Sequence, residues 1–448
     1  MLTTGAGIDR GQALDWYRRN RARTAQLFDL LVPDAYYAQP IALRHPVVFY
    51  DGHLPAFSLN TLVKRGLGEP GVDEGLERLF ARGIDPEVDG AGTPAAADAH
   101  TSWPDRETVR RFVAEADRRV LQALAEADLD QPGRPLMDGA EAVHAILEHE
   151  AMHQETLLYM WHRLPHAMKR APAGYRVVTD GPGATPEEIV VPGGTVPLGA
   201  ARGEVPFGWD NEFPGITTTV PDFGIDRHNV TNAAFMAFVD AGGYQDPQWW
   251  SPEDWAWVQA SGTSHPPFWR REAGEWRWHG MFESLPLPER WPVYVSHAEA
   301  SAYARWRGRR LPTEAEMQRA MYGAPDGAPR RYPWGDAPPD ATRGVFDFAS
   351  WEPEPVGTHP AGRSAWGLDD TLGNGWEWTA TVFAGFPGFV PIDSYPEYSA
   401  DFFDGQHFVM KGASTATARE LLRPSFRNWF RAHYPHVYAT FRTVRGTA

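Results

Sequence analysis

Several features common in proteins are missing from this chain of 448 residues. It contains no cysteine, which excludes disulfides, zinc–thiolate sites, iron–sulfur clusters and a cysteine nucleophile. Basic residues are outnumbered, 42 against 58 acidic ones, and the net charge of −16 argues against binding to nucleic acid or to an anionic membrane. No apolar run approaches the roughly 18 residues of a membrane span, and no signal peptide is apparent. We therefore expect a cytoplasmic protein.

The aromatic residues divide the chain into two parts. Of the 19 tryptophans, only Trp16, Trp103 and Trp161 precede residue 200. Prolines and glycines interrupt any helical pattern between about residues 164 and 194. We therefore predict a helical domain over 1–165, a linker over 166–190 and a second domain over 191–448.

Apolar spacing predicts the class of each domain. Repeats at i, i+3 and i+4 predict long helices over 9–31, 105–127 and 138–163, and a less distinct helix over 51–62, which together form a four-helix bundle. Later in the chain, similar spacing predicts short helices over 232–241, 297–307 and 313–321, and the remainder is typical of turns and short strands. The expected architecture is an α domain followed by an α+β domain. The stretch 89–99 is predicted to be a mobile loop.

A histidine pair in the third long helix carries the strongest chemical signal. His149 and His153 stand four residues apart, so they share one helix face about 6 Å apart and can reach one metal ion. Glu155 points away from that face, and a third ligand must come from another element. His53, at the expected start of the 51–62 helix, is the candidate. Three neutral histidines leave open coordination positions, which is typical of a catalytic metal.

Histidines at this spacing also occur on ordinary amphipathic helix surfaces, so spacing alone leaves both interpretations open. Other histidines are less suited to a shared site. His162 and His166 are separated by a helix-ending Pro165, and His144 lies off the face of His149.

Three segments together carry a family resemblance: the His149-x3-His153 motif with His53 upstream, the RLPTEAE stretch at 310–316, and LGNGWEWT at 372–379 followed by RNW at 427–429. The chain resembles the ergothioneine-type sulfoxide synthases (the EgtB family). In that family a DinB-like four-helix bundle precedes a domain of the formylglycine-generating-enzyme type, which is related to C-type lectin folds. The resemblance covers nearly the whole chain.

The resemblance implies a reaction and a set of site residues. His53, His149 and His153 would hold Fe(2+), and hercynine (trimethylhistidine) would react with a sulfur donor and O2 to form a carbon–sulfur bond at imidazole C2. Asn428 and Trp429 would lie near the betaine, because an amide can bond a carboxylate and an indole face suits a trimethylammonium group. A tyrosine usually assists by proton transfer.

The chain departs from the family pattern at four positions. Phe430 and Tyr434 replace an aspartate and an arginine that grip γ-glutamylcysteine in actinobacterial members. Met152 replaces a glutamine before the second helix histidine, and Phe57 stands where a polar residue often follows the first ligand. Two aromatics in place of a charge pair remove recognition of a zwitterionic donor.

These departures favour the selenoneine synthase branch, which uses the same iron site and takes a seleno-sugar to form a carbon–selenium bond. Aromatic rings can stack on a neutral sugar, and Tyr434 is our first candidate for donor binding or proton transfer, with Tyr395 and Tyr398 as others. Cysteine or γ-glutamylcysteine with an ergothioneine product is the alternative. A non-catalytic ligand-binding module and a zinc-dependent bundle enzyme are further alternatives, whereas a formylglycine-generating oxidase is excluded by the absence of cysteine.

Overall fold

The computed structural model describes residues 3–4, 7–81, 102–182, 186–328 and 330–446. The chain forms two compact units, the first made of Met1–Ala173 with Asp393–Tyr395, and the second of Gly174–Ile392 with Pro396–Ala448. The predicted linker over 166–190 stays a prediction. The predicted loop at 89–99 lies outside the described residues. In the described part of the chain, no helix has the length and apolarity needed to cross a membrane.

The first unit is helical. Its elements are β1 (Thr3–Thr4), β2 (Gly7–Ile8), α1 (Arg10–Asp29), α2 (Val47–Ser58), α3 (Glu74–Leu79), α4 (Arg106–Glu126) and α5 (Glu141–Arg163). Helix α2 continues directly into a π-helical segment, Leu59–Gly66. Helices α1 and α2 each pack against both α4 and α5. The bundle predicted from the apolar spacing is confirmed.

Local sequence explains where these helices begin. The Asp9 carboxylate accepts a hydrogen bond from the Gln12 amide at 2.9 Å, and the Asp105 carboxylate accepts one from the Thr108 amide at 2.7 Å, so both satisfy amides that a helix start leaves unpaired. Helix α2 instead begins after Pro46. The expectation that His53 stands at the start of its helix is therefore wrong, because the first turn of α2 is apolar on every side and carries no helical periodicity.

The second unit combines short helices with several small sheets. Its helices are α6 (Asn232–Asp240), α7 (Pro252–Ser261), α8 (His297–Trp306) and α9 (Glu314–Tyr322). Its strands are β3 (Glu188–Val191), β4 (Gly194–Leu198), β5 (Ile216–Val220), β6 (Phe223–Asp226), β7 (Trp269–Glu272), β8 (Glu275–His279), β9 (Ser284–Pro286), β10 (Gly375–Val382), β11 (His407–Ala413), β12 (Asn428–Arg431), β13 (Ala439–Thr440) and β14 (Val444–Gly446). The predicted α+β class is confirmed, and α7 is the helix that the sequence analysis missed in this unit.

The largest sheet of the second unit has the strand order β12-β11-β10-β13. Strand β10 runs antiparallel to β11 and parallel to β13, and β11 runs antiparallel to β12. Two three-stranded sheets, β14-β6-β3 and β7-β8-β9, and the pair β4-β5 complete the described strands of this unit. The RLPTEAE motif starts α9, where Thr313 and Glu316 form a capping box.

A fully buried ion pair joins the end of the chain to this sheet. The Arg442 guanidinium donates to both carboxylate oxygens of Glu377 on β10, at 2.7 and 3.1 Å, and both side chains are 0% exposed. Arg442 also donates to the backbone carbonyls of Asp369 and Arg227. The guanidinium therefore fixes three separate segments of the chain at one point.

We expect Arg442→Met to lower the free energy of unfolding of this unit by about 3–5 kcal/mol, because the carboxylate of Glu377 would stay buried without its partner. Urea unfolding followed by tryptophan fluorescence measures this, since sixteen of the 19 tryptophans follow residue 200. Arg445→Met is the matched control. The Arg445 side chain is 67% exposed where it pairs with Glu188, so its loss should cost about 0–1 kcal/mol. Equal losses in the two variants would contradict the role of burial.

Candidate metal centre

Three histidines meet inside the helical bundle. His53 projects from α2, and His149 and His153 project from α5 one turn apart. The ring centroids lie 5.1 Å apart for His53 and His149, 5.0 Å for His53 and His153, and 4.2 Å for His149 and His153. One nitrogen from each ring lies within 4.8 Å of the others, and among the described residues this is the one such group of three potential ligands.

Backbone carbonyls fix which ring nitrogen faces the cluster. His53 Nδ1 lies 2.7 Å from the carbonyl oxygen of Phe80, and His153 Nδ1 lies 3.1 Å from that of His149. A carbonyl can only accept, so each Nδ1 carries the hydrogen and each Nε2 keeps a free lone pair. This is the arrangement in which an outer hydrogen bond orients a histidine ligand.

The cluster also contains polar atoms that lack protein partners. Within the described residues, His53 Nε2 and both ring nitrogens of His149 are buried with no hydrogen-bond partner. Leaving such atoms unpaired in an interior costs free energy. A metal ion bound by these nitrogens would remove that cost, so the residues present fit a three-histidine metal site.

Burial keeps the three imidazoles neutral. It lowers the pKa of His53 to about 4, and it lowers the pKa values of His149 and His153 well below their usual range. The rings disfavour one another's protonation as well, since His149 is affected by His153 and His53. Neutral imidazoles at pH 7 have no proton to release before they bind a metal ion.

Gly52 allows Phe80 to approach His53. A Cβ atom at Gly52 would lie 2.4 Å from the Phe80 ring. That ring is itself enclosed, with ring centroids of Phe49 at 6.3 Å, Trp103 at 6.5 Å and Phe112 at 5.9 Å. A side chain at position 52 would therefore push away the residue whose carbonyl orients His53.

Polar contacts from α1 fix the rotation of α5. The carboxylate of Glu150, beside His149, accepts from Thr24 Oγ1 at 2.6 Å and from Arg21 Nη1 at 2.9 Å. Gln154, beside His153, donates to the carbonyl of Asn20 at 2.9 Å. Because neighbouring helix positions point about 100° apart, bonds that hold 150 and 154 toward α1 also hold 149 and 153 toward α2.

Phe57 and Tyr395 border the histidines. The Phe57 ring stacks on His149 with a centroid separation of 3.5 Å and an interplanar angle of 7°. The Tyr395 ring lies 5.5 Å from Phe57 and 6.2 Å from His149. Tyr395 is thus the tyrosine among our three candidates that lies in the same unit as the histidines, and Met152 is half-buried on α5 next to His153.

The other candidate residues lie in the second unit. Trp429 stacks on Phe383 at 4.1 Å and meets Tyr398 edge-on at 5.2 Å. Phe430 and Tyr434 stack on each other at 5.0 Å with an interplanar angle of 16°. Asn428 precedes Trp429 on β12, and its side-chain oxygen accepts from the Trp429 amide at 2.9 Å. The roles assigned to these residues stay predictions.

Sequence reasoning missed the residues that orient the histidines. A glycine within a helix, directly before a suspected ligand, was a usable signal at Gly52. The carbonyl of Phe80 carries no sequence signal, because every residue has one. In sequence, Glu150 and Gln154 resemble ordinary polar positions of α5, because their partners on α1 are more than 100 residues away.

The two units match two known families. Residues 17–157 match the DinB superfamily, and residues 175–447, more than half of the chain, match the Sulfatase-modifying factor enzyme 1-like domain. The class of protein is thus a DinB-type helical bundle, which carries the three-histidine cluster, followed by a sulfatase-modifying-factor-type domain. The two domain types are those that the sequence resemblance implied.

Curated relatives narrow the class to one family. Hercynine oxygenase of Mycolicibacterium smegmatis is 38% identical over 326 residues, which cover 71% of this chain and 73% of the relative. Hercynine oxygenase of Mycolicibacterium thermoresistibile is 36% identical over a region that covers 84% of this chain and 80% of the relative. Ergothioneine biosynthesis protein 1 of Schizosaccharomyces pombe is 28% identical over a region that covers 93% of this chain and 54% of the relative. The chain belongs to the hercynine oxygenase family, and it is an oxidoreductase.

We expect Gly52→Ala to weaken binding of a divalent metal by about 10–100-fold, which is the usual effect of disturbing a group that orients a histidine ligand. Titration of the metal-free protein with Co(II), followed by visible absorption, measures the affinity.

The control for this variant is Gly11→Ala in α1, where a Cβ atom would meet Asp9 Oδ1 at 3.4 Å, an ordinary contact. The control should bind Co(II) like the wild type. Unchanged affinity in Gly52→Ala would contradict the role assigned to the carbonyl of Phe80.

Proposed function

We propose that this protein is an Fe(II)- and O2-dependent selenoneine synthase, which joins selenium from a seleno-sugar to imidazole C2 of hercynine. The cluster of buried His53 and His149 with half-buried His153, whose ring nitrogens can bind one metal ion, is the observation that carries the proposal. Two relatives named hercynine oxygenase support hercynine as the acceptor.

The proposed reaction balances with O2 as the oxidant. The C2–H bond of hercynine and the Se–H bond of the donor break, and a carbon–selenium bond forms. Both hydrogens leave with one oxygen atom as water, and the second oxygen atom stays on selenium as a selenoxide. Ferrous iron, held by His53, His149 and His153, would supply positive charge for a soft anionic donor and electrons for O2.

The three histidines prepare the site for such an ion. Each imidazole is neutral, so the full positive charge of a dication is retained for anionic ligands. Three protein ligands leave coordination positions open for substrates. The stacking of Phe57 on His149 covers one face of that ring and excludes water from it.

We assign the proton-transfer role to Tyr395 in preference to Tyr434. Its ring lies 6.2 Å from that of His149, in the same unit. The phenolic Oη would give its proton to the oxygen atom that leaves as water and would regain a proton from imidazole C2 of hercynine, so the tyrosine is restored. Tyr434 is assigned to donor binding, together with Phe430.

The aromatic pair supports a neutral donor. Phe430 and Tyr434 stack in parallel and carry no charge, so they offer no partner for the ammonium and carboxylate groups of an amino-acid donor. A sugar presents C–H faces that pack on aromatic rings. In the same unit, Asn428 and Trp429 are assigned to the carboxylate and trimethylammonium groups of hercynine.

The alternative is a sulfoxide synthase of ergothioneine biosynthesis, with cysteine or γ-glutamylcysteine as donor. The relative named Ergothioneine biosynthesis protein 1 favours it. A binding module without chemistry would not require three histidines grouped within reach of one metal ion.

An aerobic assay with Fe(II), hercynine and one donor at a time tests the donor. The donors are seleno-glucose, cysteine and γ-glutamylcysteine, and products are identified by mass spectrometry. We expect a selenium-containing hercynine product from seleno-glucose, and turnover at least about 100-fold lower with either thiol, because the charge clamp for an amino acid is missing. Equal or faster sulfoxide formation from a thiol would contradict the selenium assignment and support the alternative.

Conservative tyrosine variants test the proton-transfer assignment. We expect Tyr395→Phe to lower kcat about 100-fold, on the scale of lost general-acid catalysis, with unchanged Co(II) affinity. Tyr434→Phe is the matched control and should mainly raise the KM for the donor. The assignment fails if Tyr395→Phe keeps the wild-type kcat while Tyr434→Phe loses it.

A further inference from the structure

The segment Asp393–Tyr395 belongs to the helical unit although it lies far along the chain. Its middle residue, Ser394, is only 1% exposed, whereas Asp393 before it and Pro396, which follows Tyr395, are exposed. Tyr395, the last residue of the segment, borders Phe57 and His149. The position of the phenol therefore depends on what holds this short stretch of backbone.

Two charged side chains of the bundle hold it. Arg65, in the π-helical segment after α2, donates from Nη1 to the carbonyl of Ser394 at 2.9 Å and from Nη2 to the carbonyl of Asp393 at 2.8 Å. Glu141, the first residue of α5, accepts from the amide of Ser394 at 2.8 Å. Both backbone groups of Ser394 and the preceding carbonyl are thus bonded to the bundle.

The chemistry of these groups suits a backbone clamp. A guanidinium is a planar fork that can donate to two carbonyls at once, which a lysine ammonium does less well. Charged partners make stronger hydrogen bonds than neutral ones. The contacts are made to the backbone, so they fix the Cα position of the next residue whatever the side chains of Asp393 and Ser394 are.

The two holding residues come from the helices that carry the metal-site histidines. Arg65 follows His53 and Phe57 along the continuous α2 and π-helical stretch, and Glu141 opens α5, which carries His149. The π-helical turn alters the direction in which later side chains leave the helix, and such turns are frequent at functional sites. The elements that place the ligands therefore also place the segment that ends in Tyr395.

We propose that Arg65 and Glu141 are positioning residues, a clamp on the backbone of residues 393–394 that places the Tyr395 phenol beside the metal-site histidines. The expected effect of the clamp on turnover rests on the proposed function, in which Tyr395 transfers a proton. The expected effect on the position of the Tyr395 ring does not depend on that function. The hydrogen bonds of the clamp go to residues 393 and 394 and not to the histidines, so we expect metal affinity to be independent of the clamp.

Fluorine NMR of protein labelled with 3-fluorotyrosine tests the placement without turnover. The resonance of Tyr395 is the one that disappears in Tyr395→Phe. In the metal-free protein we expect Arg65→Ala and Glu141→Ala each to shift and broaden this resonance, and Glu141→Gln, which keeps an oxygen acceptor, to resemble the wild type. Arg78→Ala is the control, since Arg78 is exposed and pairs with exposed Glu74.

Activity and metal binding complete the test. We expect Arg65→Ala to lower kcat about ten-fold, on the scale of one or two lost hydrogen bonds, with unchanged Co(II) affinity. A Tyr395 resonance that stays at its wild-type position in both alanine variants would overturn the clamp. If the Tyr395 resonance is displaced in the alanine variants but Tyr395→Phe keeps full activity, the clamp is supported and the proton-transfer role of Tyr395 is contradicted.

Discussion

The grouping of three neutral imidazoles in the bundle, with His53 and His149 buried and His153 half-buried, is the constraint on which the functional part of this protein depends. Polar rings with unpaired nitrogens are costly inside a bundle, and they stay in place only because the surrounding structure fixes them. Carbonyl acceptors set the tautomers of His53 and His153. Bonds from α1 to Glu150 hold the rotation of α5. A glycine at position 52 leaves room for the chain that supplies one of those carbonyls. Each of these contacts helps to orient a histidine ring so that the lone pair of one nitrogen faces the cluster.

The metal site could be predicted from the sequence only in part. The i, i+4 spacing of His149 and His153 predicts a shared helix face from helix geometry alone, and the structure confirms it. His53 was named as the ligand from a second helix because of its expected place at a helix start, which the structure shows to be wrong, and the family resemblance was needed to favour it over the other histidines. The orienting contacts depend on backbone atoms and on tertiary neighbours. The same limit applies to Tyr395, whose proximity to His149 comes from a contact between residues more than 200 apart in sequence.

The fold shows a similar division between local and tertiary information. Long helices with a polar face were predicted within a few residues, because their periodicity reports directly on burial. Helix α2 was predicted four residues short, since a helix that is apolar all round has no periodicity. Helix α7 was missed although Ser251 and Pro252 form a typical helix start, because the surrounding tryptophans obscured the pattern. The order of strands in the sheets follows from long-range pairing, which no local pattern specifies.

The central claim is that His53, His149 and His153 bind one iron ion together. X-ray absorption at the iron edge of the protein loaded anaerobically with one equivalent of Fe(II) tests it most directly, because imidazole ligands give characteristic outer-shell scattering. Our account predicts scattering from three imidazoles, falling to two in His53→Ala. One imidazole or none in the wild-type protein, or an unchanged number in His53→Ala, would contradict it.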